Sequence, residues 1–155
     1  MTNHPEGTIM DNKALFRATI KAVALGEVEE AVRLEGRIVD ADRESYHLHV
    51  MAMFAALVQD RFSEDSSHAK LVAFVNELHR RYSEATPPLR PLMMEGMIRV
   101  VFGEQHFLAD IPLAEQLRIQ YLTIRVLIQD SDGLADRIDD LITASEELAE
   151  HWAGA

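Results

Sequence analysis

Tyr46-His-Leu-His-Val-Met-Ala-Met-Phe-Ala-Ala-Leu-Val58 is apolar on nearly every face of a helix, so the element it forms needs cover on all sides. Working outward, Leu34, Ile38, Ala41, Ser45, Leu48, Ala52, Ala55 and Phe62 recur at intervals of three, four or seven, the spacing of a helix packed along its length on other helices. Half of these positions are Ala or Ser, which lets neighbouring backbones approach closely. The pattern predicts one unusually long helix, the second in the chain, from near Glu27 to Phe62. Gly36 and the polar run 40–44 are the two places where it would break, and neither demands a break.

The flanking sequence supplies the other elements. Residues 1–8 are polar and read as a disordered tail, followed by a single all-helical domain over 9–153. Thr8 and Asp11 read as a capping box for a first helix that buries Leu15, Phe16, Ile20 and Val23 and ends at Gly26. A third helix over 67–84 buries Leu71, Phe74, Val75, Leu78 and Tyr82. Pro87, Pro88 and Pro91 stop the chain and start a fourth helix that runs to Phe102. Asp110 and Pro112 open a fifth, to about Gln129. After the turn at 130–133, Leu134, Ile138, Leu141, Ser145, Leu148 and Trp152 mark a sixth. With no strand signal, the expected fold is all-α, an antiparallel bundle of about five to six helices.

Composition narrows the function classes. The 155 residues are 48% hydrophobic, contain no Cys and carry a formal charge of −11. Thiol chemistry, disulfides and thiolate metal sites are therefore excluded. Residues 130–151 hold eight acids and one base, so the sixth helix should carry an acidic outer face toward solvent or a basic partner. This charge disfavours direct nucleic-acid binding, because no compensating basic cluster is evident. No apolar stretch reaches a membrane-spanning length and residues 1–10 lack the pattern of a secretory signal, so a cytoplasmic location with no membrane partner is expected.

Three groups could carry chemistry. Asp40, Glu44 and His47 share one stripe of the long helix, and Glu44-Ser-Tyr-His47 has the Glu-x-x-His interval that di-iron bundles use twice. The second pair is missing, since Glu77/His79 and Glu104/His106 stand two apart and diverge on a helix. Solvated ion pairs with Arg37 and Arg43 account for the same stripe. Glu95 and Arg99 sit in the otherwise apolar run 92–102 beside Gly96, a residue that signals close approach by backbone or ligand. Arg118 and Arg125, seven apart in the next helix, would reach the same region, with Met93 and Met97 as an adaptable apolar lining. In the segment 103–110, Glu104, His106 and Asp110 lack a nucleophile or an oxyanion-binding element, and turn formation explains them.

Ala24-Leu-Gly-Glu-Val-Glu-Glu-Ala31 resembles the hairpin junction of a tetratricopeptide repeat. The resemblance covers eight residues and implies peptide or protein docking. The surplus of apolar faces points to a non-enzymatic protein–protein interaction or regulatory module, acting as a homodimer or with a protein partner. The alternative is a small-molecule-binding or metal-binding bundle, with or without catalysis, addressed by Glu95, Arg99 or His47. No cofactor is implied.

Overall fold

The computed structural model describes residues 11–154. Among these residues there are seven α-helices and no strand: α1 (Asn12–Ala24), α2 (Val28–Glu35), α3 (Arg43–Arg61), α4 (His68–Arg81), α5 (Pro91–Val101), α6 (Leu113–Asp130) and α7 (Ile138–Ala153). Short 3-10 turns at Asp40–Asp42, Gln105–Asp110 and Ala135–Arg137 join them. None of the described helices is long and apolar enough to cross a membrane. The expected tail and the Thr8 cap lie outside the described residues. Asp11 caps α1 instead, its carboxylate accepting from the Ala14 amide at 2.7 Å.

The apolar stretch 46–58 becomes the centre of the molecule. Helix α3 packs on α1, α5, α6 and α7, and Tyr46, Val50, Met53, Phe54 and Val58 are fully enclosed. Much of the cover that this sequence requires comes from its own chain, while Leu48 and Met51 stay half-buried. The contacts also differ from a tetratricopeptide array, where each hairpin would touch only its neighbours in sequence. The 24–31 junction does form a hairpin, closed by Gly26 at φ +75°, but α2 is only eight residues long.

The long second helix is interrupted, which raises the helix count above the expected six. Past Glu35 the amides of Arg37 and Ile38 donate three residues back, to Leu34 and Glu35, and Val39 is extended. Arg43 stabilises the break from the far side: its guanidinium donates to the Glu35 backbone carbonyl at 3.1 Å and to the Glu35 carboxylate at 3.2 Å. A cation thus satisfies a terminal carbonyl of α2. The seam divides accordingly. Ala52 and Ala55 are buried on α3, Phe62 just past its end and Leu34 and Ile38 before it, whereas Ala41 and Ser45 face solvent.

Helix α7 also departs from expectation. Its buried face is Ile138, Ile142, Ser145, Glu146 and Ala149, and Glu146, expected on the outer acidic face, is 6% exposed. Lys13, Arg17 and Lys21 recur every four residues along α1 and meet α7 as a basic ladder. Lys13 pairs with Glu150 at 3.5 Å, Lys21 with Asp139 at 3.2 Å, and Arg17 with Glu146 at 3.1 Å. Arg17 also donates to the Asp139 carbonyl and the Thr143 hydroxyl. Part of the basic partner for the acidic helix is therefore α1. Exposed members of the ladder contribute little, but Glu146 without Arg17 is a carboxylate left inside the protein. Arg17→Met should lower stability by about 2 kcal/mol, and Arg17→Met with Glu146→Leu should recover part of that loss, read by urea unfolding.

Candidate functional site

The polar groups singled out by sequence do not converge. Arg99 closes on its own segment: its Nη1 donates to Glu95 at 3.0 Å, and Nε and Nη2 clasp Glu104 at 2.7 and 2.8 Å. That clasp holds Glu104 below the usual carboxylate range. The guanidinium also lies 5.1 Å from the Phe107 ring centre. The close approach at Gly96 is protein against protein, since a Cβ there would stand 3.4 Å from both Phe107 and Ile111. Met97 is fully buried core and Met93 packs against the core. Arg118 pairs with Glu115 and donates to the Pro87 carbonyl. Glu95 and Arg99 are thus engaged with each other, and Arg118 is engaged elsewhere within the chain.

The stripe Asp40, Glu44 and His47 loses its continuity because Asp40 falls in the 3-10 turn before α3. Among the described residues no group of three or more His, Asp or Glu is arranged to hold a metal ion. Glu44 and His47 instead line an open groove of about 530 Å³ with Leu48, Met51, Leu117 and Gln120. Partial burial, together with the charge of Arg43, lowers the His47 pKa below its ordinary value, and Glu35 opposes the shift.

The constellation that sequence reasoning missed joins α2, α3 and α6. Tyr46 is fully buried on α3, and its hydroxyl meets that of Tyr121 on α6 at 2.5 Å. The Tyr121 hydroxyl donates to Glu35 Oε1 at 2.8 Å. Tyr121 has a single proton and gives it to the carboxylate, so the proton between the phenols belongs to Tyr46. Burial pushes both phenols above their ordinary pKa, and both stay neutral. Glu35 is held in turn by Arg43 at 3.2 Å. The signal was legible in part: Tyr46 is a phenol within an otherwise apolar run, and a buried hydroxyl needs a partner.

One turn beyond Tyr121 on the same face of α6 stands Arg125, the remaining sequence candidate. It borders an apolar cleft of about 190 Å³ between α1, α2 and α6, lined by Ala22, Val23, Ala31, Leu122, Glu35 and Tyr121. Val28 and Val32, four apart on α2, form its outer rim and are 57% and 68% exposed. The guanidinium rests against the α1–α2 turn, where a Cβ on Gly26 would lie 3.1 Å from Arg125 Nε. That Nε is buried without a hydrogen-bond partner. Glycine at 26 therefore serves twice, once for its positive φ and once for the room it leaves. No protein-family model, curated protein or solved structure matches the chain.

Two measurements check this geometry. Tyr121→Phe strands the Tyr46 hydroxyl and should cost about 1–3 kcal/mol, whereas Tyr46→Phe should cost about 1 kcal/mol and, added to Tyr121→Phe, should restore stability. For His47, a lowered folded-state pKa means that the folded protein binds fewer protons than the unfolded chain. Its contribution is intact above the ordinary histidine pKa and is lost as pH falls through that value toward the folded one. His47→Gln should flatten the decline in unfolding free energy between pH 7 and pH 5.

Proposed function

We propose that this protein is a non-enzymatic regulatory module that works by binding, with the α1–α2–α6 cleft as its site. The observation that carries the reading is the combination, in one place, of an apolar cavity, a bare valine rim and a buried unpartnered nitrogen on Arg125. Apolar concavities with a few fixed polar groups are the usual form of small-ligand sites. The polar groups beside the cleft are occupied structurally, Glu35 by Tyr121 and Arg43, and Tyr121 by Tyr46 and Glu35. A group held in this way positions helices; it is not poised to exchange protons with a substrate.

The exposed Val28 and Val32 favour a second reading, in which a protein partner or a second copy of the chain covers the rim of α2. The two readings separate experimentally. A dry apolar cavity of about 150 Å³ admits a benzene-sized ring, so indole serves as a neutral probe. Indole should shift the amide resonances of Val23, Ala31 and Leu122, and Ala31→Phe should abolish those shifts while leaving the helical circular dichroism intact. A dimer in the native mass spectrum that Val32→Glu converts to monomer, with no response to indole, would move the assignment to the association module.

A further inference from the structure

We infer that the α1–α2–α6 cleft takes a short amphipathic monocarboxylate, its carboxylate on the Arg125 guanidinium and its chain against Ala22, Val23 and Leu122. The inference rests on the cleft's being a binding site and adds the chemistry of what it binds.

The first argument is charge. The chain has 26 acidic residues against 15 basic ones, so carboxylates are in surplus. Most cations among the described residues have found an anionic or aromatic partner, as Arg17, Arg43, Arg81 and Arg99 do with carboxylates and Arg61 does over the rings of Phe62 and Phe74. Among the described residues Lys70, Arg90 and Arg137 lack an ion pair, and each is exposed to solvent. Arg125 is different, because it is half-buried, has no ion pair among the described residues and presents a buried Nε with no acceptor. A buried N–H is ordinarily satisfied, and no acceptor among the described residues serves this one. A guanidinium fork matches a carboxylate in geometry as well as in charge.

The second argument is shape and polarity. The cavity of about 190 Å³ slightly exceeds one that admits benzene, and its aliphatic lining is alanine, valine and leucine. It suits a single ring or a short alkyl chain. The carboxylate of Glu35 also lines the cleft, but the Tyr121 hydroxyl at 2.8 Å and Arg43 at 3.2 Å hold it. An uncharged chain end beside that pair and an anionic end beside Arg125 give the site a direction.

The test compares octanoate, 1-octanol and octylammonium on the full chain, by calorimetry and by the Arg125 Nε–H resonance. Octanoate should shift that resonance and bind about tenfold more tightly than 1-octanol, as expected for one hydrogen bond to a charged group; octylammonium should bind more weakly than either. Arg125→Gln should erase the preference for octanoate and leave 1-octanol affinity within twofold. Equal affinity for octanoate and 1-octanol in the unaltered protein overturns the carboxylate assignment and keeps the cleft as a binding site, and it does so without any variant. An unchanged octanoate preference in a folded Arg125→Gln protein overturns it as well. Failure of all three ligands and of indole overturns the binding function along with it.

Discussion

A phenol hydroxyl sealed inside an apolar core has to be hydrogen-bonded, and Tyr46 imposes that requirement at the centre of this molecule. Its proton goes to Tyr121, whose own proton goes to Glu35, whose carboxylate is held by Arg43. Three helices are therefore fixed relative to one another by a chain of single protons. Apolar contact alone is nondirectional and would tolerate a helix sliding or turning on its neighbour. A relay with one donor for each acceptor does not tolerate it, since any slip leaves a buried polar atom without a partner.

The relay also explains where the cleft is. Tyr121 is anchored toward α3, and Arg125, one turn later on the same face of α6, is delivered beside the α1–α2 turn. Glu35 ends α2, and its ties to Arg43 and Tyr121 hold that short helix at its last residue while Val28 and Val32 remain uncovered. The cleft is the space left between α2 and the α1–α6 packing behind it. Across the molecule, the α1 ladder of Lys13, Arg17 and Lys21 meets the acids of α7. Arg17 and Glu146 there make the one ladder contact whose carboxylate is buried.

Much of this was legible in the chain. The all-helical class, the need of 46–58 for cover on all sides, the stop at Gly26 and a helix start within the proline run 87–91 follow from local rules: periodicity, positive φ and proline's fixed torsion. Arg125 could be named as a candidate because it stands seven residues from Arg118 on one helix, although the region it reaches is the α1–α2 turn. Its assigned companions could not be checked. Glu95, Arg99 and Arg118 satisfy themselves within the chain, and no spacing rule distinguishes an arginine that finds a carboxylate from one that does not. The long second helix failed for a related reason. A single glycine leaves the chain free to continue or to stop, and the contacts that accompany the stop include one from Arg43, eight residues beyond Glu35, to the Glu35 carbonyl.

By itself, the sequence determined which segments are helical, which stretch needs cover on every side, and that the chain has a large surplus of negative charge, because each of these depends on residue type and local period. The tertiary structure alone decided what covers that stretch, which cations meet which anions, and which one is left facing an apolar cleft. Those outcomes depend on distances between residues as far apart in the chain as Lys13 and Glu150. Such distances are set only when all the helices are packed at once.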